Sequence, residues 1–227
     1  MGVEEYIGLL LASPGSGSES IDGLRRRFIL ECLDATSHIP GGVAEFGCWQ
    51  GYTSAFISES LKHVSPEKQF HVYDTFNGLT GRRDEDVGEH SGEFVEGAIC
   101  ASRETFEDTQ RRYGVQLPII HELDVCNLSA EHVSPFSFVY LDMDYYAPTL
   151  RALECIWPLM PVGGMVLIDD YFFLCTPGVP KAVHEFFKSR NILLRRHEAE
   201  AQRELPSDLE TRQCFRASHA LGVRKLL

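Results

Sequence analysis

One short segment, VAEFGCWQGYTSAF at residues 43–56, most constrains how this chain can fold. It predicts an apolar strand that ends at Glu45, a glycine-containing turn and a helix that begins near Thr53. Gly47 allows the backbone to approach a ligand closely, and Gly51 allows a tight turn, because glycine lacks a Cβ atom. This order of strand, turn and helix is typical of the first βα unit of a doubly wound sheet, where nucleotide-like ligands bind beyond the strand.

Glu45 distinguishes this turn from the dinucleotide-binding signature G-x-G-x-x-G, because the acid stands where the first glycine of that signature would be. A carboxylate repels a pyrophosphate, but it can receive the ammonium group of an amino-acid moiety. Thr53 or Ser54 is expected to cap the first free N–H groups of the helix. A tight turn that binds no ligand is the alternative interpretation of the segment taken by itself.

Length, charge and cysteine content restrict the possible classes of protein. The 227 residues, 44% of them hydrophobic and 24% charged, suit one soluble α/β domain with a substantial core. The net charge of −12 argues against binding to nucleic acid or to anionic membranes, since both require a basic surface. No apolar run is long enough to span a bilayer. The seven cysteines form no C-x-x-C pair, and no basic secretory leader precedes them, so we expect a cytoplasmic protein.

A stretch rich in serine and glycine at residues 13–20 separates the start of the chain from the rest. We therefore expect residues 1–20 to form a flexible N-terminal arm and residues 21–227 to form a single domain. Such an arm can close over a site or pack on a partner subunit, and a frayed terminus is the alternative.

Hydrophobic periodicity and turn residues predict alternating helices and strands. The predicted helices cover residues 20–37, a stretch from residue 53, 102–113, 149–160 and 180–190. The predicted strands cover residues 43–45, 70–74, 117–124, 136–142 and 165–170, followed by a last antiparallel pair at 192–194 and 212–217. The fold class is therefore α/β, with a Rossmann-like, mostly parallel, doubly wound sheet, helices on both faces and an antiparallel edge strand.

Acidic residues stand at the ends of five predicted strands, and they are Glu45, Asp74, Asp124, Asp142 and the pair Asp169–Asp170. The carboxyl ends of parallel strands lie along one edge of the sheet, where ligands bind. A row of carboxylates at that edge is repulsive unless something positive binds there. Asp74 ends the second predicted strand, and its spacing in the sequence from the glycine turn is that of acids which accept hydrogen bonds from ribose hydroxyls. The alternative is an aspartate that only stabilises a turn.

Asp142, Asp169 and Asp170 lie on two adjacent predicted strands in the second half of this row. Three converging carboxylates make an oxygen-only site that suits Mg²⁺. A bound divalent cation lowers the pKa of a coordinated hydroxyl, so Asp142 or Asp144 is the candidate general base. The alternative is that these acids only cap turns.

Residues 80–97 form a polar, glycine-containing connection that is long for a compact domain, which predicts a lid or a substrate loop. Within it, Glu89, His90 and Glu93 are expected to be solvated rather than to bind a metal. The run Arg25–Arg27 in the first predicted helix is likewise interpreted as a solvated face.

Four motifs together resemble the macrocin O-methyltransferase family. They are EFGCWQG at 45–51, YDTFNGL at 73–79, LDMDYYAPT at 141–149 and PVGGMVLIDDY at 161–171. The resemblance covers about residues 40–190, and the motifs follow the family's order. It implies a class I methyltransferase fold and an enzyme that depends on S-adenosylmethionine and Mg²⁺. Its substrate would be a hydroxyl of a small molecule, such as a sugar of a natural product in antibiotic biosynthesis.

The resemblance also implies roles for individual residues. The candidate cofactor-binding residues are Glu45, Phe46, Gly47, Cys48, Gly51, Thr53, Asp74, Thr75, Phe76 and Asp124. Among them, Glu45 and Gly47 would lie beside the methionine part, Asp74 at the ribose, and Asp124 near the adenine. The candidate metal ligands are Asp142, Asp169 and Asp170, and the candidate catalytic residues are Asp142 and Asp144. The family and the N-terminal arm favour a homodimer or a higher homo-oligomer.

Other functions fit these residues less well. The D-x-D at residues 142–144 is similar to that of haloacid-dehalogenase-like phosphatases, but those enzymes carry it on the first strand. Glu45 disfavours a nicotinamide-dependent oxidoreductase, and the strand-end acids disfavour a non-catalytic nucleoside-binding protein. The acceptor pocket has candidates for which core packing is the alternative, namely Tyr145, Tyr146, Tyr171, Phe172, Phe173 and His184.

Overall fold

The computed structural model of the protein describes residues 23–192, 194, 214–217 and 219–226, so the predicted N-terminal arm lies outside the described residues. The helices are α1 (Gly23–Ala35), α2 (Tyr52–Val64), α3 (Arg103–Tyr113), α4 (Tyr146–Leu159) and α5 (Gly178–Lys188). The strands are β1 (Gly42–Phe46), β2 (Phe70–Asp74), β3 (Ile119–Glu122), β4 (Phe136–Leu141), β5 (Met165–Ile168), β6 (Cys214–Ala217) and β7 (Ala220–Arg224). Short 3₁₀ helices cover Asp84–Asp86, Val125–Asn127 and Ala130–His132.

The strands form one seven-stranded sheet in the order β3-β2-β1-β4-β5-β7-β6. The pairs from β3 to β5 are parallel, and β7 pairs antiparallel with both β5 and β6. The register sets Phe46 beside Leu141 and Leu141 beside Ile168, so the residues that follow β1, β4 and β5 emerge at one edge. The predicted α/β fold class is confirmed, and the strand order reverses between β1 and β4, the position where such sheets bind ligands.

Alternating residues of the central strands build hydrophobic cores on both faces of the sheet. In β4, whose six residues are all buried, Phe138 and Tyr140 pack with α1 and α2, whereas Val139 and Leu141 pack with α4 and α5. Burial on both faces is typical of a parallel strand and explains its nearly continuous apolar sequence. None of the helices in the described part of the chain has the length and apolar character needed to cross a membrane.

Several element boundaries differ from the prediction. β3 is shorter than expected and ends at Glu122, so Asp124 lies two residues beyond it and caps the next 3₁₀ helix. Helix α4 begins earlier, at Tyr146, and tolerates Pro148 because the first turn of a helix does not use that N–H group. Helix α2 begins at Tyr52 after Gly51 and has no side-chain cap, so the predicted cap by Thr53 or Ser54 is wrong.

The prediction of the last two strands is wrong in part. Neither Ile192 nor Leu194 lies in a strand, and residue 193 is outside the described residues. The second predicted strand corresponds to β6, whose partner is β7, a strand that the sequence did not indicate. β7 is short and contains Gly222, which weakens its strand propensity, and it forms because it is buried beside β5.

Candidate active site

A cleft of about 310 Å³ opens at the carboxyl edge of the sheet, where the strand order reverses. It brings together most of the residues that the sequence predicts for the site. Those that line it are Glu45, Gly47, Cys48, Thr53, Asp74, Thr75, Asp142, Asp144 and Asp170. The cleft walls also include Trp49, Phe94, Ile99 and Met143, which the sequence did not single out, and Arg25, which the sequence analysis assigned to a solvated face.

Glu45 is fully buried at the end of β1 and lines the cleft. Its Oε2 accepts a hydrogen bond from the Ser54 hydroxyl of α2, whereas its Oε1 has no hydrogen-bond partner in the part of the chain described. Burial raises the pKa of Glu45 to about 8; the Ser54 bond opposes this shift and the Asp74 charge adds to it. A buried acceptor without a partner is costly, so this oxygen suits a cationic or N–H-bearing ligand.

Asp74, at the end of β2, holds the turn that follows β1. Its Oδ2 accepts hydrogen bonds from the backbone N–H groups of Cys48, at 2.7 Å, and Trp49, at 3.1 Å. Its Oδ1 accepts one from the N–H of Phe76 at 2.8 Å. Each carboxylate oxygen has two lone pairs, so Oδ1 can still accept from a ligand hydroxyl. The structure therefore adds an anchoring role for Asp74 to the predicted ribose contact.

The two glycines of the turn are required by close packing within the protein. Gly47 has a φ of +81°, and a Cβ atom there would lie 1.8 Å from the carbonyl oxygen of Asp142. Gly51 has a φ of +82°, and a Cβ atom there would lie 2.6 Å from the ring of Phe106. The sequence predicted that a ligand approaches Gly47 closely, but in the structure the backbone after β4 makes this approach.

Some predicted cofactor residues lie away from the cleft surface. The ring of Phe46 stacks on Tyr73 at 4.3 Å between centroids, and that of Phe76 packs edge-on against Phe106. Asp124 accepts hydrogen bonds from the N–H of Cys126 and the hydroxyl of Thr80. These three side chains therefore pack behind the residues of the cleft wall and do not line the cleft themselves.

Asp142, Asp144 and Asp170 form a group that we call the carboxylate cluster, in which one carboxylate oxygen of each residue lies within 4.8 Å of one oxygen of the other two. Asp144 and Asp170 both adopt a φ of +58°, a left-handed conformation that aspartate tolerates better than most residues. Burial and the neighbouring acids raise the pKa values of Asp142 and Asp170 well above the ordinary range and that of Asp144 to about 7. Oxygen ligands that repel one another in this way fit a hard divalent cation.

Asp169 does not line the cleft, and its side chain is held by other residues of the protein. Its Oδ2 accepts hydrogen bonds from the Arg25 guanidinium and from the Tyr140 hydroxyl, the latter at 2.5 Å. Its Oδ1 accepts one from the N–H of Asp170 at 3.0 Å. The structure thus groups Asp144 with Asp142 and Asp170, and the role of Asp142, Asp169 and Asp170 as metal ligands stays a prediction.

The interpretation of Arg25–Arg27 as a solvated face is wrong for two of the three residues. Arg25 is partly buried and reaches Asp169, and Arg26 is only 4% exposed, whereas Arg27 pairs with Glu31 at the surface. Arg25 is partly buried because the buried Asp169 carboxylate needs a positive partner. The sequence contained a signal of this, because Arg25 lies three and four positions before the core residues Phe28 and Ile29 and therefore on the same face of the helix.

The 80–97 segment is tied to the rest of the fold at Asp86, which accepts a partly buried hydrogen bond from the N–H of Tyr146 at 2.7 Å. Within the segment, Glu96 accepts a hydrogen bond from the N–H of Gly81 at 3.0 Å. Its Phe94 lines the cleft. Glu89, His90 and Glu93 are exposed side chains, and they take no part in the metal-ligand group found among the described residues.

Phe173 is the candidate for the acceptor pocket that lines the cleft, and its ring lies edge-on to that of Phe94 at 6.1 Å. Tyr171 instead forms a hydrogen bond with His184 at 2.7 Å. Tyr145 is buried with its hydroxyl on the carbonyl of Phe94, Tyr146 bonds to Glu185, and Phe172 packs against the core.

Comparison with known proteins agrees with this geometry. A profile of the macrocin-O-methyltransferase family matches residues 16–197. The 8-demethyl-8-(2,3-dimethoxy-alpha-L-rhamnosyl)-tetracenomycin-C 4'-O-methyltransferase of Streptomyces olivaceus is 26% identical over 75% of this chain and 68% of its own. The mycinamicin III 3''-O-methyltransferase of Micromonospora griseorubida is 28% identical over 65% of this chain and 61% of its own.

The solved structure of the O-methyltransferase NovP has the same fold, with a TM-score of 0.76 and 16% identity over the whole of both chains. The family match extends over most of the chain, from before α1 to beyond α5. The chain therefore belongs to the macrocin-O-methyltransferase family, a family of S-adenosylmethionine-dependent methyltransferases.

Proposed function

We propose that the protein transfers the methyl group of S-adenosylmethionine to a hydroxyl of a sugar or a related natural product, with the help of Mg²⁺. The observation that carries this proposal is a single cleft with two different acidic halves. Glu45 and Asp74 line one half, and the carboxylate cluster lines the other. The two relatives described above are named for O-methylation of a rhamnosyl tetracenomycin and of mycinamicin III, which supports an acceptor of this class.

The half with Glu45 and Asp74 suits the methyl donor. Among the residues that the structure describes, the Oε1 of Glu45 has no hydrogen-bond partner, which supports a contact with the ammonium group of the donor's methionine part. The Oδ1 of Asp74 has capacity for one more donor, which a ribose hydroxyl can supply. When it is bound, the donor supplies a positively charged sulfonium whose methyl carbon is electrophilic.

The carboxylate cluster suits Mg²⁺, which binds oxygen ligands, and a bound Mg²⁺ lowers the pKa of a hydroxyl that it contacts. Asp144 is our candidate for the general base, because its carboxylate lines the cleft beside those of Asp142 and Asp170, where the acceptor hydroxyl would meet the cation. Its carboxylate takes the proton of the acceptor hydroxyl, and the oxygen forms a bond to the methyl carbon as the carbon–sulfur bond breaks.

The mouth of the cleft suits the apolar body of an acceptor. Trp49 and Ile99 line it and are 37% and 40% exposed, and Phe94 and Phe173 contact each other at its wall. Partly exposed aromatic and aliphatic side chains around a concave site typically bind apolar ligand surface. We infer that the 80–97 segment, which supplies Phe94, helps to select the acceptor.

The experiment is a methyl-transfer screen with labelled S-adenosylmethionine and a panel of glycosylated natural products, with Mg²⁺ and with EDTA. We expect transfer only with Mg²⁺, and micromolar binding of the donor in both conditions. Absence of donor binding together with a response to NAD would instead support the oxidoreductase alternative. Full activity in EDTA would remove the cation from the proposal.

We further infer a cytoplasmic protein that forms a homodimer or a higher homo-oligomer, with residues 21–227 as a single domain. Free thiols support the reducing compartment, since the cysteines whose side chains are described are all unpaired: Cys32, Cys48, Cys100, Cys126, Cys155 and Cys175. Light scattering coupled to size exclusion tests the oligomeric state, and a monomer at micromolar concentration would contradict it.

A further inference from the structure

Tyr145 links the carboxyl edge of the sheet to the 80–97 segment. It directly follows Asp144 and is only 1% exposed, and its hydroxyl donates a hydrogen bond to the carbonyl oxygen of Phe94 at 3.1 Å. The other hydrogen bonds that the structure describes next to Phe94, from its N–H to Ser91 and from Ser91 to Gly88, stay within the segment. The Tyr145 hydroxyl therefore fixes this part of the segment against the strand ends.

The backbone of Tyr145 is itself held at both ends. Its N–H donates to the carbonyl of Met143 at 2.6 Å, and its carbonyl accepts from the hydroxyl of Thr149 at 2.6 Å. The preceding residue, Asp144, has a φ of +58° and turns the chain between β4 and α4. As a result, Asp144 lines the cleft, whereas the ring of Tyr145 is buried and does not line it.

Two half-buried aromatic rings form an apolar wall of the cleft, and each is connected to the end of a central strand. The backbone of Phe94 is bound by Tyr145, beyond the end of β4. The N–H of Phe173 donates to the carbonyl of Asp170, beyond the end of β5, at 3.0 Å. The two rings lie edge-on to each other at 6.1 Å. The position of this wall relative to the carboxylate cluster therefore depends on the hydrogen bond from Tyr145.

We propose that Tyr145 is a positioning residue for the methyl acceptor, whose hydroxyl holds Phe94 so that Phe94 and Phe173 bind an apolar ring face beside the reacting hydroxyl. This inference rests on the proposed function and deepens it, because it assigns an apolar ring face to the acceptor. Aromatic rings in a concave site bind such surfaces. The donor belongs to the half of the cleft with Glu45 and Asp74, so Tyr145 should affect its binding little.

Tyr145→Phe removes one oxygen atom and leaves the ring in place. The net effect of one neutral hydrogen bond is modest, so this variant should fold, and the acceptor KM should rise about fivefold. We expect kcat and the Kd of S-adenosylhomocysteine to stay within about twofold of the wild type, since no reacting group is touched. In the ligand-free protein, amide hydrogen exchange of residues 87–97 should become about fivefold faster, while that of β4 is unchanged.

The test uses full-length variants with Mg²⁺ and compares para-nitrophenyl rhamnoside, which has an aromatic aglycone, with methyl rhamnoside, which has none. If neither is methylated, the best acceptor of the screen and its methyl glycoside replace them. The preference for the aromatic glycoside should fall in Tyr145→Phe. Tyr146→Phe is the matched control, because this neighbouring hydroxyl bonds to Glu185 at the surface. In a Phe94→Ala background, the additional loss of the Tyr145 hydroxyl should change the acceptor KM less than about twofold, because the two residues act as one unit.

Two results would overturn the inference. One is a Tyr145→Phe variant whose acceptor KM and amide exchange equal those of Tyr146→Phe. The other is a Tyr145→Phe effect on the acceptor KM that persists in full in the Phe94→Ala background. If Tyr145→Phe does not fold, Phe94→Ala decides, and an unchanged acceptor KM in it overturns the inference. A wild type that methylates no acceptor refutes the proposed function itself, whereas the exchange measurement needs no ligand and still decides whether Tyr145 holds the segment.

Discussion

Replacement of Glu45 by glutamine tests two properties of this buried acid, namely its raised pKa and its contact with a bound ammonium group. In the ligand-free protein, one oxygen of Glu45 accepts from Ser54 and the other has no partner within the described ranges of the chain, and burial raises the pKa of Glu45 to about 8. At pH 7 the carboxyl group is therefore mostly protonated. A bound ammonium group favours the ionised form, so the binding of S-adenosylhomocysteine, which carries this group, should release a proton from Glu45.

The sign of the stability effect follows from the raised pKa. Because the folded-state value lies above the unfolded value of 4.5, the stabilisation by neutral Glu45 is complete below pH 4.5 and is lost as the pH rises through about 8. At about 1.4 kcal/mol per pKa unit, the free energy of unfolding of the wild type should fall by up to about 5 kcal/mol across this range. Glu45→Gln, which is neutral throughout, lacks this fall.

The assay is isothermal titration calorimetry with S-adenosylhomocysteine at pH 7, in two buffers of different ionisation enthalpy, which gives the number of protons released. We expect close to one proton for the wild type and none from this site in Glu45→Gln. Loss of a hydrogen bond to a charged group should also weaken binding by about 1.5–3 kcal/mol. Glu122→Gln is the control, because Glu122 is exposed at the end of β3, away from the cleft. Equal proton release and equal affinity in wild type and Glu45→Gln would refute the reasoning.

Three further variants test other parts of the site. Asp170→Asn should abolish Mn²⁺ binding and methyl transfer while donor binding persists, and calorimetry with both ligands checks this; retained activity would remove the cluster's role. Asp74→Ala should weaken donor binding by about 1.5–3 kcal/mol or more, because it loses the turn anchor as well as the ribose contact, and an unchanged affinity would place that contact elsewhere. Gly47→Ala should be strongly destabilised in thermal melts, because its Cβ would meet the Asp142 carbonyl, and a melting temperature near that of wild type would contradict this packing.

The elements that carry the site could be predicted from the sequence because their signals are local. Burial on both faces makes β4 a nearly continuous apolar run, and a strand-end acid follows it directly at Asp142. The glycines at 47 and 51 mark the turn after β1, where only a residue without a Cβ fits. These local rules placed Glu45, Asp74 and Asp142 at one edge of the sheet, as the structure does.

The place of β7 and the orientations of Asp169 and Asp170 depend on contacts between segments that are distant in the sequence. The hydrophobic periodicity of a single segment gives no information about such contacts. β7 owes its place to burial beside β5, since its own sequence is short and contains a glycine. The buried partner of Asp169 is Arg25, which comes from a helix far away in the sequence. Asp169 and Asp170 are neighbours and chemically identical, so only the fold determines that one side chain turns towards the arginine and the other towards the cleft.

The attachment of the 80–97 segment has a consequence for how this enzyme can diversify. The segment is attached at Asp86, which accepts from the N–H of Tyr146, at Glu85, whose carbonyl accepts from Lys181 of α5, and at Phe94, whose carbonyl accepts from the hydroxyl of Tyr145. Between these attachments lie exposed side chains such as those of Val87 and His90. Substitutions at these exposed positions should therefore leave the fold intact, and under the role proposed above for the segment they should change which acceptors are methylated.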